Sequence, residues 1–288
     1  MFKRRRKIGS LSMSGVRKRK RKKFIFFLSA MLFLIVVFVF LFAILLRVDN
    51  LKIKSVFVYG NSAIRQDEIL KIVNDKLNSK YLKIFPRDNI LLCPKSEIET
   101  QIYDAFKRVK NADIETDGLN SLILRIKERE PFALWCGAEN SDEYQECYFM
   151  DNSGYIYSRA PNFSGNVFIK YYGTINAGKF IGSTFMDAEE FSKVSFLIKS
   201  LESINLTPIF FAVNKNGNYE IYLGKNSGGG GIYDGKIIFD KSNDIGQVFA
   251  NLKSILENNI VGNDKDKNLR LDYIDLRFGK KIIYKFKE

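Results

Sequence analysis

The sequence predicts an α+β protein: one N-terminal transmembrane helix, a β-α-α-β-β unit, then a mixed, β-rich domain with two helices. Three observations predict it. The run from Phe24 to Leu46 is 23 residues long and carries no charge. Between Ile53 and Pro131, strand-like alternation and helix-like spacing of apolar residues take turns in a short α+β pattern. From Phe132 onward most segments are short strands, interrupted by two amphipathic helical stretches.

The first 23 residues form a basic tail. Lys plus Arg total 46 against 32 Asp plus Glu, a net charge of +14, and twelve of those cations precede residue 24 with no acid among them. The remaining chain is therefore close to neutral, which removes a nucleic-acid reading based on overall charge. As a helix, Phe24–Leu46 spans ~35 Å, enough for a ~30 Å hydrocarbon core with some tilt. A cleaved signal peptide is the alternative, but its apolar core is only about 7–15 residues and ends at a small-residue site. Here the run ends in Leu45-Leu46-Arg47. Only Arg47, Lys52 and Lys54 follow the span closely, so the positive-inside rule keeps the N-terminus cytoplasmic and sends the rest across the plasma (inner) membrane. Attraction to anionic lipid accounts for the tail's charge; cytoplasmic nucleic acid is the alternative for the tail alone.

The first unit covers 48–131. Ile53–Tyr59 alternates as a strand and Gly60-Asn61 stops it. Ile69, Ile72, Val73 and Leu77 recur at helical spacing, which places a helix over Gln66–Leu77. A second helix is expected near Ser96, where Ser96 and Glu99 have the spacing of a capping box, with Ile98, Ile102 and Phe106 as its apolar stripe. Strands Val109–Glu115 and Leu122–Glu128 follow, joined across Asp117-Gly118. Pro131 closes the unit because it cannot donate to a central ladder.

In the domain 132–288, strands are expected at Phe132–Cys136, Glu146–Met150, Tyr155–Ser158, Val167–Tyr172, Ile209–Val213, Tyr219–Leu223 and Lys236–Asp240. Asp187–Leu201 carries Phe191, Val194, Ile198 and Leu201 on one helical face. Asp244–Leu256 repeats this with Ile245, Val248, Phe249, Leu252 and Leu256. Ser227–Gly231 (SGGGG) reads as a loose loop. The chain closes with strands Leu271–Phe278 and Lys281–Lys287 around Gly279-Lys280, a pairing that suits a type II′ turn.

The chemistry is sparse. The chain has no histidine, which removes the usual general base, the histidine-dependent nucleophile systems and most zinc sites. Asp151-Asn-Ser-Gly154 superficially resembles an aspartic-protease loop, but the spacing is off by one residue and no second copy supplies the partner carboxylate. A β-turn is the expectation. Gly224-Lys225 lacks the order and context of a phosphate loop. Trp135 reads as a core or edge aromatic. Of the three cysteines, Cys136 and Cys147 flank an expected hairpin loop and could pair or remain buried thiols; Cys93 has no obvious partner. No catalytic, cofactor or metal constellation emerges. What emerges is the last strand, KIIYKFK (Lys281–Lys287), a natural sheet edge. It either accepts a strand from a partner or is protected from doing so by its lysines.

The order of parts resembles the FtsQ/DivIB family of bacterial cell-division proteins. Its first unit resembles their POTRA domain, with Val58-Tyr59-Gly60-Asn61 at the end of strand one and Glu128-Arg129-Glu130-Pro131 at its close. The stretch from Trp135 through Asp151–Tyr157 resembles the start of their β domain, and Ile274-Asp275-Leu276-Arg277-Phe278 is the most specific likeness. The cysteines and the insertions around Cys136–Cys147 and Gly228–Gly231 depart from the usual pattern. The resemblance implies a non-enzymatic bitopic scaffold at the division septum, binding FtsB/DivIC-like and FtsL-like partners. It also implies partner contacts by the side chains of Arg277 and Phe278 and by the backbone of Ile282, Ile283, Tyr284 and Lys285. The competing readings are another POTRA-bearing adaptor of protein assembly or secretion, and an anchored envelope enzyme.

Overall fold

The computed structural model describes residues 13–82, 85–138, 146–175, 179–224, 235–257, 271–279 and 281–287. The expected loop Ser227–Gly231, Lys225 and the tail cations Lys3–Lys7 lie outside the described residues. The fold is α+β, with five α-helices among the described residues. The chain divides into two compact units, one of residues 1–102 and 112–126, the other of 103–111 and 127–288.

In the first unit, α1 (Met13–Leu45) is continuous from the basic segment through the apolar run. Lys and Arg are good helix formers, so nothing stops the helix at the membrane boundary. Residues 20–44 are long and apolar enough to cross a membrane. β1 (Ser55–Tyr59) pairs in parallel with β5 (Ser121–Glu128), and β4 (Val109–Asp117) lies on the other side of β5. α2 (Gln66–Leu77) buries Ile69, Val73 and Leu77, the stripe its spacing predicts. Buried Ile64 and Ile69 occupy the positions of a hydrophobic staple around the Arg65 cap.

Two local features depart from expectation. The chain inserts a small hairpin, β2 (Lys80–Tyr81) and β3 (Phe85–Pro86), between the helices. Strands of two residues leave no periodicity to read; the Arg87 guanidinium stacks 3.9 Å over the Tyr81 ring and ion-pairs with Glu97 at 2.8 Å. The capping box does not form, because α3 (Lys95–Ala105) starts before Ser96 and the Pro94 carbonyl accepts the Ile98 amide. Glu99 instead accepts the Ile114 amide of β4 at 3.2 Å. Ile98 and Ile102 are fully buried as expected.

Among the described residues the second unit is built on one nine-stranded sheet. Its strands are β6 (Ala133–Trp135), β7 (Tyr148–Met150), β8 (Ile156–Arg159), β9 (Lys170–Tyr172), β10 (Pro208–Val213), β11 (Tyr219–Leu223), β12 (Lys236–Phe239), β13 (Leu271–Phe278) and β14 (Lys281–Phe286). The order is β14-β13-β12-β11-β10-β9-β6-β7-β8. The pairs β6/β9, β9/β10 and β12/β13 are parallel, and parallel neighbours need long crossovers. α4 (Ala188–Leu201) makes the crossover from β9 to β10 and α5 (Ile245–Glu257) lies in the one from β12 to β13. Both helices join one core with the sheet: Phe191, Val194, Leu197, Ile198 and Leu201 from α4, Val248, Leu252 and Ile255 from α5, beneath Phe211, Ile221, Ile237 and Ile274.

At the β6–β9 end a second cluster holds Leu134, Cys136, Phe149, Tyr157 and Ala160, with Phe163 and Phe168 packed on it. Cys136 and Cys147 form a disulfide across 11 residues, which contributes about 2–3 kcal/mol by loop closure. Cys93 is a free, partly buried thiol whose pKa burial pushes up to about 11. Trp135 is a core residue, its indole N–H donating to the Gly173 carbonyl at 3.0 Å.

The Asp151–Gly154 segment is the turn expected of it. The Gly154 amide bonds the Asp151 carbonyl at 3.0 Å, and Gly154 has φ +76°.

Candidate partner-binding edge

The last two strands place all six residues singled out by the sequence on one hairpin. β13 and β14 pair antiparallel, Ile274 opposite Tyr284 and Asp275 opposite Ile283, with irregularities on either side. Gly279 has φ +67°, the positive φ that the first central residue of a tight hairpin turn requires; Lys280 lies outside the described residues. The Gly279 carbonyl accepts the Asn251 side-chain amide of α5 at 3.0 Å, which ties the turn to the helix layer.

β14 is the outermost strand of the sheet. In an antiparallel pair each edge residue in turn points its N–H and C=O either at its neighbour or away from it. The outward groups of β14 form an unclosed ladder, and no strand pairs with them among the described residues. Ile282 and Phe286 pack on the main core, and Phe286 meets the Tyr284 ring edge-on at 5.7 Å. Tyr284 is nevertheless 41% exposed and Phe278 is 54% exposed. Lys281 and Lys285 are exposed, and Ile283 is half-buried.

Arg277 is not a free cation. Its Nε and Nη2 clasp the Asp275 carboxylate at 2.9 and 2.6 Å, and its amide donates to the same group at 3.1 Å. The clasp sets the guanidinium 5.5 Å from the Phe278 ring. Asp275 thus fixes the Arg277 guanidinium, and sequence reasoning alone does not single it out. A signal for it exists, because residues two apart on a strand share a face. Farther in, Glu220 accepts Lys236 Nζ at 2.9 Å, the Tyr222 hydroxyl at 2.8 Å and the Asn214 amide at 2.8 Å.

Burial alone would push the Asp275 carboxyl up, but the Arg277 side chain and amide hold it below its ordinary value. Glu220 is likewise desolvated, yet held low by Lys236, Asn214 and Tyr222. A carboxyl whose folded pKa is depressed adds stability that is present above its ordinary pKa and lost as pH falls through the folded value. With no histidine in the chain, stability is expected to stay flat between about pH 5 and 8 and to fall below about pH 4. A melting series across pH checks this, and a step near pH 6–7 would contradict it.

A concavity of about 850 Å³ in the second unit opens at the amino ends of α4 and α5. Its carboxylates are already engaged: Asp187 and Asp244 accept the first amides of their helices, and Glu190 pairs with Lys241 at 2.6 Å. Among the described residues no group of three or more Cys, Asp or Glu could hold a metal ion. The arrangement at β14 is chemically suited to backbone pairing with an extended segment.

No family model and no curated protein matches the chain.

Proposed function

We propose that this protein is a bitopic membrane scaffold of the FtsQ/DivIB kind. In this reading α1 anchors it in the plasma (inner) membrane with a cytoplasmic N-terminus. The first unit is a POTRA domain. The outer edge of β14 takes a strand from an FtsB/DivIC-like partner at the septum, in a complex that includes an FtsL-like protein. The observation that carries the proposal is the place of β14 at the sheet edge: no described strand closes the ladder on its outer side, and the exposed rings of Phe278 and Tyr284 stand beside it. Lysines alone would serve a protected edge; two partly exposed aromatic rings beside them fit an edge that receives a partner. The Cys136–Cys147 disulfide supports an extracytoplasmic second unit, since such bonds persist outside the reducing cytoplasm.

The test uses the full-length protein in lipid nanodiscs, titrated calorimetrically with the extracytoplasmic segment of an FtsB/DivIC-type protein from the same organism. Phe278→Asp is expected to weaken binding by at least about 30-fold, or ~2 kcal/mol, as loss of an aromatic anchor does. Its melting curve should match the parent because the ring is exposed. Unchanged affinity would remove Phe278 from the interface.

A further inference from the structure

The end of α1 is built into the first unit. The stretch able to cross a membrane ends at Ile44, yet Leu46, two residues on, is 0% exposed. Asn89, also 0% exposed, donates its side-chain amide to the Leu46 carbonyl at 2.8 Å. The same side chain accepts the Leu91 amide at 2.9 Å. The Ile90 amide bonds the Leu51 carbonyl at 2.9 Å and the Ile53 amide bonds the Asp88 carbonyl at 2.7 Å. The loop 87–92 is therefore pinned to the chain as it leaves the helix. Ile44 to Leu46 is only ~3 Å of helical rise, whereas the polar layer on each side of a bilayer is roughly 5–8 Å deep. A loop bonded to Leu46 falls inside that layer when α1 spans the membrane.

Leu91, beside this bracket, is 65% exposed. A single exposed leucine elsewhere needs no explanation; here the place supplies one. Val48 is 42% exposed on the same stretch, and Arg47 and Lys54 are exposed cations around it. Apolar side chains with flanking Lys and Arg are the mixture that settles at a lipid headgroup boundary.

We infer that the first unit sits directly on the outer leaflet, with the 87–92 loop as its seat and Leu91 entering the interface. The inference rests on the reading of α1 as a membrane span. The partner is a phospholipid surface, and Asn89 is the residue that positions the loop on it.

The test reconstitutes the full chain in phosphatidylcholine–phosphatidylglycerol vesicles, with and without bromine on the acyl chains, and reads tryptophan quenching. The native Trp135 is buried and gives a constant background. Three variants at exposed positions are compared, Phe33→Trp in the span, Leu91→Trp in the loop and Tyr59→Trp at the far end of β1, ~13 Å along the strand from Ser55. Bromine is expected to quench Phe33→Trp and Leu91→Trp strongly and to leave Tyr59→Trp close to its unbrominated emission. Strong quenching of Phe33→Trp without quenching of Leu91→Trp would overturn the seat alone. Equal quenching of Tyr59→Trp and Leu91→Trp would overturn the assignment to this loop. An unquenched Phe33→Trp would overturn the span and the seat together.

Discussion

Gly60→Ala is expected to destabilise the first unit by on the order of 4 kcal/mol, among the largest effects a single substitution produces. Gly60 follows β1 with φ +84°. A methyl group there would drive into the carbonyl oxygen of Ile126 and lie 3.2 Å from its carbon. Both are backbone atoms of β5, which pairs with β1 over Ser55–Tyr59, so relief requires the strands to part. The left-handed backbone adds a further cost of about 1–2 kcal/mol for any residue with a Cβ. Gly118→Ala separates the two contributions. It has φ +65° but nothing within 4 Å of an added Cβ, so it carries the backbone cost alone. Denaturant melts of the two variants check this, and equal losses would show that β5 yields at Ile126.

Arg129→Ala is expected to cost the second unit about 3–5 kcal/mol, the range for leaving one partner of a buried ion pair unpaired. Arg129 Nη1 bonds Asp151 Oδ2, and the two side chains are 18% and 4% exposed. The guanidinium also lies 3.9 Å over the Tyr155 ring, and its Nε donates to the Lys107 carbonyl at 3.3 Å. Burial would raise the Asp151 carboxyl, but Ser153, Arg129 and the Tyr155 amide together hold it below its ordinary value. The variant strands a buried carboxylate, and the loss should shrink as acid protonates it. Arg125→Ala is the comparison: its pair with Glu115 is 56% and 52% exposed, and such pairs contribute at most about 1 kcal/mol. Denaturation at pH 7 distinguishes them, and similar losses for both would contradict the role given to Arg129.

Part of this architecture is legible in the amino-acid sequence itself. α2 and β11 run between the residues their apolar spacing marks, α2 burying Ile69, Val73 and Leu77 and β11 burying Tyr219, Ile221 and Leu223. The edge position of β14 agrees with the lysines set among its apolar residues. Other features leave no local trace. The expected strand Val167–Tyr172 shortens to Lys170–Tyr172, since Gly165 turns at φ +86° and Phe168 swings into the cluster around Phe149. That β9 lies between β6 and β10 in parallel is set by how α4 crosses the sheet, not by the sequence of β9. The candidate site divides the same way. Phe278 and β14 can be picked out in the sequence, whereas the Asp275 clasp and the Asn251 tether join residues whose meeting only the fold creates.

The central claim is that β14 receives a partner strand, and backbone exchange reads it most directly. Amide hydrogen exchange of the full-length protein in nanodiscs should be followed with and without a saturating FtsB/DivIC-type extracytoplasmic segment. Strand addition predicts that alternate amides within 281–286, those pointing away from β13, become protected on binding while the amides of α4 and α5 stay unchanged. Absence of binding, or binding that leaves the β14 amides exchanging at their free rate, would contradict it.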